Sequence, residues 1–241
     1  MRKISLYVLA GFTLVACDKH DPILPGTRTA IFGGQELNIL NTPVSGLSEN
    51  AIVIKNTECP YTQDNTNTIR KDDKKIFIGF PAPNSVQSSQ KPVCAGGYVY
   101  AGLTTGELIK LSKNGNLIWM ADIFKQSNMM GGCSVVDIVA PIVVLDNWIY
   151  VGGMGDAFCK VSASSGNKKW CTEIGTTNEF IITNRAIYVV GIDNNLYALR
   201  NTDGAIYWKT EIKKQTKPIY ENKIITIGRE KINAETGEMI K

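Results

Sequence analysis

A glycine followed four residues later by a tryptophan recurs three times in this chain, at Gly115 and Trp119, Gly166 and Trp170, and Gly204 and Trp208. Each pair closes a longer unit made of an apolar strand with tyrosine, a short second strand, a tight turn and a strand carrying the tryptophan. The first unit runs Gly97–Gly102, Glu107–Leu111, Asn114–Asn116 and Leu117–Trp119. The second runs Trp148–Gly152, Asp156–Val161, Ser165–Asn167 and Lys168–Trp170, and the third Ala186–Val190, Asn195–Leu199, Asp203–Ala205 and Ile206–Trp208. A fourth copy, Lys223–Ile227, Glu230–Asn233 and Thr236–Glu238, reaches Lys241 where its tryptophan would fall. From 119 to 170 and from 170 to 208 the steps are 51 and 38 residues, the longer one carrying an insertion at Lys125–Gly132. A period of about forty residues with several short strands per unit is the signature of propeller blades. One such unit leaves its apolar faces in water, and stacking units face to face buries them. The predicted fold is therefore all-β, a β-propeller of four-stranded blades. Asn-Gly and Asp-Gly turns supply the positive φ that tight hairpins need.

The tryptophans have a structural use. One large ring per blade can wedge against the next blade while its N–H bonds to backbone. An exposed aromatic platform for a ligand is the functional alternative. The turn-to-tryptophan distance repeats while nearby polar residues do not, which favours the wedge. Tyr100, Tyr150 and Tyr188 are read in the same way.

The amino end points to the cell envelope. Arg2 and Lys3 precede an uncharged, mostly apolar run from Ile4 to Ala16. That is the pattern of a signal peptide, short of the ~20 residues of a spanning helix. The run ends in Leu14-Val15-Ala16-Cys17, which resembles a bacterial lipobox and predicts lipidation of Cys17. An acyl chain there would hold the protein on a membrane surface, on the extracytoplasmic side. The expected organisation is a signal peptide over 1–16, a lipid-anchored tether over 17–50 and a propeller over 51–241. The tether is rich in Pro and Gly, with one short strand around Thr29–Phe32. Ala51–Ile54 and Lys75–Phe80 read as strands separated by a polar loop, Thr62–Asp73.

Composition excludes several classes. Removing Arg2 and Lys3 from the 26 basic residues leaves 24 against 22 acidic ones, a balance too even for a nucleic-acid partner, and no basic run interleaves with aromatics. The single histidine, His20, lies in the tether, so no Ser/His or histidine-metal site has a partner, and no metal or cofactor is expected. Of the cysteines beyond Cys17, Cys159 and Cys171 lie equidistant from Ser165 in a predicted hairpin. They are either a cross-strand disulfide or two small apolar residues in a sheet.

A glycine turn and tryptophan behind an Ile/Val-Tyr strand resembles the PQQ-type propeller repeat. Within that superfamily, the stretch from about Pro92 to Trp208 resembles the outer-membrane assembly factor BamB family. Asn178–Ile182 through Ile187-Tyr188, Leu196–Leu199 and Gly204–Trp208 carry the likeness most specifically, and Ser134–Val144 with Asp137 and Pro141 is similar to an aspartate-bearing loop. Leu24-Pro25-Gly26 adds a weaker match, and the lipobox fits as well.

The resemblance implies a non-enzymatic, periplasm-facing lipoprotein of the outer membrane that binds a BamA-like barrel assembly protein through two loops on one face. No small-molecule substrate is implied. Asp137 maps near the acidic loop, as a partner contact or as a loop cap. The other loop falls at Asn84–Gln90, which lacks the arginine of the family pattern. Asp18, after the lipid cysteine, leaves the inner membrane as an alternative location. Family members usually have eight blades, and this chain shows four copies plus an amino-terminal strand region. Either strands such as Ala51–Ile54 complete the final blade, or the sequence is a reduced or truncated member, with fewer blades than eight or an incomplete ring. Two other readings share the fold. One is a propeller binding another envelope protein or a glycan. The other is a PQQ-dependent dehydrogenase, which the short length and the lack of a Cys-Cys pair disfavour.

Overall fold

Successive antiparallel hairpins build five sheets in chain order in the computed structural model, which describes residues 37–52, 59–81, 91–124 and 136–240. All of these belong to one compact unit, Leu37–Lys241, distinct from Met1–Glu36. Among the described residues there are strands and no helix. The first sheet has three strands, β1 (Tyr61–Gln63), β2 (Thr68–Lys71) and β3 (Lys74–Ile78). The second holds β4 (Val93–Ala95), β5 (Tyr98–Gly102), β6 (Glu107–Ser112) and β7 (Leu117–Asp122). In the third are β8 (Val143–Leu145), β9 (Trp148–Gly152), β10 (Phe158–Ser162) and β11 (Lys168–Thr172). The fourth has β12 (Ile181–Ile182), β13 (Ala186–Val190), β14 (Asn195–Arg200) and β15 (Ile206–Glu211). The fifth has β16 (Ile219–Glu221), β17 (Ile224–Ile227), β18 (Glu230–Asn233) and β19 (Met239–Ile240). This is the blade pattern of a β-propeller, with five sheets among the described residues.

The repeat seen in the sequence becomes a repeat of register. In the second, third and fourth sheets the last hairpin slips by one residue at the same place, between Lys110 and Leu111, Lys160 and Val161, and Ala198 and Leu199. That bulge sets Trp119, Trp170 and Trp208 opposite Lys110, Lys160 and Ala198. The first sheet slips between Ile69 and Arg70 and so sets Phe77 opposite Ile69. Phe77 thus stands where the second, third and fourth sheets have tryptophan.

Both faces of the inner sheets are apolar, because each face meets a neighbour. Four core clusters result, each shared by consecutive sheets. Tyr61 and Ile69 of the first sheet pack with Val99, Ile109 and Leu111 of the second. Tyr100 and Leu108 pack with Ile149, Val151 and Val161 of the third. Tyr150, Phe158 and Trp170 pack with Ile187, Val189 and Leu199 of the fourth, and Tyr188 and Trp208 with Ile225 and Ile232 of the fifth. Among the described residues no cluster joins the first sheet to the fifth.

Three expectations are corrected. The polar stretch Thr62–Asp73 is not a loop: it contains most of β1 and all of β2. The fifth sheet draws its last strand from its own carboxyl end, β19, and among the described residues no amino-terminal strand joins it. Ala51 and Ile52 lie outside any strand, although the Ile52 N–H donates to the Ile182 carbonyl at the free edge of β12. Residues 53–58, the Thr29–Phe32 strand and the Lys125–Gly132 insertion lie outside the described residues.

The segment 37–52, most of it read above as tether, packs along the fourth and fifth sheets as a strap. Ile39 bridges Ile206 in parallel, the Leu40 N–H donates to the Ile206 carbonyl at 2.8 Å, and the Val44 N–H donates to the Glu235 carbonyl at 2.8 Å. Val44 and Leu47 are buried in the core between these sheets. The Tyr220 hydroxyl closes the crossing by donating to the Ser48 carbonyl at 2.6 Å.

Candidate interaction site

The tryptophans occupy the junctions between sheets. Trp119, Trp170 and Trp208 each donate their indole N–H to a carbonyl in the last turn of the following sheet: Ala163, Asn201 and Glu235, at 3.3, 3.3 and 3.1 Å. The turn glycine of that following sheet lies under the ring. A Cβ on Gly166, Gly204 or Gly237 would come within 2.9, 2.5 or 2.7 Å of the preceding tryptophan. These glycines also sit at positive φ, 76°, 76° and 78°. One small residue therefore serves the turn and the neighbouring ring together.

Tyrosine hydroxyls reach across the same junctions. Tyr150 donates to the Asn201 side-chain oxygen at 2.9 Å and Tyr188 to the Ala234 carbonyl at 2.9 Å. Burial pushes the Tyr150 hydroxyl up to about 12, and Tyr188 is raised by burial and by nearby Tyr220 and Glu235. Two lysines were not foreseen. Lys110 is buried, donates to the Ala163 carbonyl at 2.8 Å and lies 3.9 Å from the Tyr98 ring centroid. Lys160 donates to the Asn201 carbonyl at 3.0 Å. Burial lowers the pKa of both, and Lys169 adds repulsion for Lys160. Their signal was a single charge inside otherwise apolar second strands, Leu108-Ile109-Lys110-Leu111 and Phe158-Cys159-Lys160-Val161.

A cleft of about 330 Å³ opens between the first two sheets, walled by Tyr61 and Tyr98, with Lys71, Lys113 and the Gly96-Gly97 turn at its rim. The Tyr61 hydroxyl donates to the Lys113 carbonyl at 3.0 Å, and the Lys71 ammonium lies 5.7 Å from the Tyr61 centroid. Cys94, also on the cleft, is bonded to Cys59 across 35 residues, a disulfide that ties the start of the first sheet to β4. Nothing local in the sequence marks that pairing. Cys159 and Cys171 sit directly opposite each other in β10 and β11, and a second disulfide joins them.

Asp137 lies between the second and third sheets, with 1% of its surface exposed, and its backbone carbonyl accepts from the Met154 N–H at 2.9 Å. A Cβ on Gly153 would strike that carbonyl at 2.0 Å. The carboxylate is thus packed inside the molecule instead of standing on a loop surface. Asn84–Gln90 and Cys17 fall outside the described residues, so the second loop and the lipid site have no geometry here. No group of three or more His, Cys, Asp or Glu that could hold a metal occurs among the described residues.

A family model described as outer membrane protein assembly factor BamB matches residues 80–210, more than half of the chain. The chain belongs to this family. Among curated BamB relatives, that of Yersinia pestis is 25% identical over 148 residues, which make up 60% of this chain and 38% of the relative. BamB of Kangiella koreensis is 22% identical over 138 residues (56% and 36%), and that of Escherichia coli K12 is 22% identical over 165 (65% and 42%). The matches therefore span well under half of the relatives' lengths. The crystal structure of BamB from Moraxella catarrhalis superposes with a TM-score of 0.51 at 13% identity, covering 82% of this chain and 64% of that one. A quinohemoprotein alcohol dehydrogenase from Pseudomonas putida HK5 superposes with a TM-score of 0.54 at 13% identity, covering 85% and 45%. At these identities the superpositions show the shared propeller fold. The BamB match begins just after the first sheet and runs into β15, so it takes in the second, third and fourth sheets and the Trp119 and Trp170 junctions between them.

Proposed function

We propose that this protein is a non-enzymatic envelope scaffold, anchored through lipid on Cys17, that binds a BamA-like outer-membrane barrel assembly protein and supports insertion of outer-membrane proteins. The observation that carries this reading is the BamB family match over residues 80–210. The junction chemistry agrees with it: the repeated aromatic and lysine side chains are consumed in holding sheets together, which leaves turns and loops as the contact surface. Surface recognition by loops on a rigid frame is what such a fold does well. Because Asp137 is buried, its role in this reading is to hold the loop that follows the insertion against Gly153 and Met154. The site of action is the periplasmic side of the outer membrane, with Asp18 leaving the inner membrane as the alternative.

The test is a tagged full-length chain recovered from envelope membranes after mild solubilisation. Co-recovery of a BamA-like barrel supports the reading. Recovery of a different envelope protein, or of none, overturns it. Replacing Cys17 with Ala is expected to release the protein from the membrane fraction and to abolish incorporation of labelled palmitate; continued incorporation would refute the anchor.

A further inference from the structure

Register makes the junctions comparable side chain by side chain, and the first is held differently from the rest. Gln63, Tyr100, Tyr150 and Tyr188 share one position, opposite Ile69, Lys110, Lys160 and Ala198. Across the later junctions, tyrosine, lysine and tryptophan side chains of this set donate to the carbonyls of Ala163, Asn201 and Ala234. The equivalent carbonyl at the first junction belongs to Lys113. Gln63 donates instead to the Gly102 carbonyl at 2.7 Å, and neither Ile69 nor Phe77 has a side-chain donor. The Lys113 carbonyl is taken by Tyr61, two residues earlier in the strand, at 3.0 Å. That bond fixes the Tyr61 ring as one wall of the cleft, opposite its own register equivalent, Tyr98.

The rest of the cleft is equally fixed and of one charge. Its floor strand β4 is tied through Cys94 to Cys59. The turn at its mouth is Gly96-Gly97, where the third and fifth sheets carry Asp146-Asn147 and Asn222-Lys223. A Cβ on Gly96 would meet nothing within 4 Å, so the mouth is open above it. Tyr98 keeps 39% of its surface exposed, while buried Lys110 lies 3.9 Å from its ring centroid. Lys71 and Lys113 are the charged residues of the lining, and no acidic side chain belongs to it. Among the described residues neither ammonium has a carboxylate within ion-pair distance.

We infer that this cleft is a docking site for an acidic segment of a partner protein, an aspartate or glutamate followed by an apolar side chain. The carboxylate meets the ammonium groups of Lys71 and Lys113 in charge-assisted hydrogen bonds, and the apolar side chain lies on the exposed ring of Tyr98. Tyrosine walls with few rotatable bonds, held by a hydroxyl bond on one side and a disulfide below, leave little to be ordered on binding. A volume of about 330 Å³ is at the small end of ligand sites, so it takes a few side chains of a peptide. A flat lipid surface would touch the rim without entering. The inference rests on the reading of this chain as a protein-binding scaffold and adds the chemistry of what is bound.

The full-length protein in neutral detergent tests it, with fluorescence anisotropy of a labelled peptide of alternating aspartate and phenylalanine. This peptide is expected to bind at least about tenfold tighter than the same peptide with asparagine for aspartate, and the difference should shrink as salt is raised. Lys71→Gln with Lys113→Gln is expected to bring the acidic peptide down to the affinity of the amide peptide and to leave the amide peptide unchanged. Lys113→Glu alone, at an exposed position, gives the same direction should the double variant not fold. Hydroxyl-radical footprinting is expected to show Tyr98 protected by the acidic peptide. Equal affinity for the two peptides, or protection elsewhere with Tyr98 still oxidised, would overturn the inference. Lysine-dependent binding of glycerol phosphate with no binding of peptide would overturn it in favour of a lipid headgroup. Failure of the peptides alongside recovery of a BamA-like barrel from membranes removes this site and leaves the scaffold standing.

Discussion

The fourth and first sheets are built to one plan and differ in how fully they carry it out. The fourth has four strands, apolar faces on both sides, a turn glycine under a neighbour's tryptophan and its own Trp208 over the next sheet's Gly237. The first has three strands, one apolar face, an aspartate in its turn and Phe77 in place of tryptophan. The disulfide from Cys59 to Cys94 ties the start of this sheet to its neighbour. Among the described residues the fourth sheet is held by burial on both faces, and the first by burial on one face together with a covalent tie. Local stability should follow that division.

The largest test is truncation of the ring. Trp208→Ala is expected to cost about 3–5 kcal/mol, with thermal unfolding as the measure. Phe77→Ala should cost clearly less, because Phe77 is only half-buried; equal losses would erase the contrast. Next is the covalent tie. Removing the Cys59–Cys94 bond, by Cys59→Ser with Cys94→Ser, is expected to cost about 3–4 kcal/mol through its loop entropy, against about 3 kcal/mol or slightly less for the shorter Cys159–Cys171 loop. Limited proteolysis should then cut the first sheet before the others, and cleavage spread evenly would argue against its dependence on the disulfide.

The turns give a smaller effect with opposite signs. Gly204→Ala forces a Cβ to within 2.5 Å of the Trp170 ring at φ 76° and should destabilise by about 1–3 kcal/mol. Asp73→Gly relieves a positive φ at an exposed position and should be neutral or stabilising by a few tenths of a kcal/mol. Denaturant midpoints that move the same way for both would break the comparison.

The smallest effect concerns pH at the junction of the third and fourth sheets. Tyr150 is raised by burial to about 12, so its contribution is fully present below pH 10 and is lost as pH rises through about 12. Tyr150→Phe should flatten the alkaline fall in stability by no more than about 1 kcal/mol at pH 11, after allowance for solvent screening. An unchanged alkaline limb would show that the hydroxyl is not held neutral by this junction.

The second to fifth sheets could be read from the sequence because glycine, tryptophan and tyrosine recur at fixed offsets, and each offset has one physical use. The first sheet could not. Lys71-Asp72-Asp73-Lys74 reads as a solvated loop, because aspartate takes the left-handed conformation that glycine marks elsewhere. The available clue was Phe77 four residues beyond Asp73. Asp137 reads as a loop residue because Ser134–Val144 resembles an aspartate-bearing loop of the family, and only the packed structure, with Gly153 against its backbone carbonyl, reveals its burial. The Cys59–Cys94 bond links residues distant in sequence, and periodicity carries no information about such pairs.

The strap sets an order of events in synthesis. Ser48 meets its hydrogen-bond donor Tyr220 only after a further 172 residues have been made, which at ordinary translation rates is a wait of about 10–35 s. Neither Glu235 nor Tyr220 exists while the earlier hairpins are closing, so the bonds at Val44 and Ser48 can close only after the fourth sheet, to which Leu40 and Ile52 bond, has been made. Until then Val44 and Leu47 stay in water, and a nascent chain halted short of Tyr220 keeps them there.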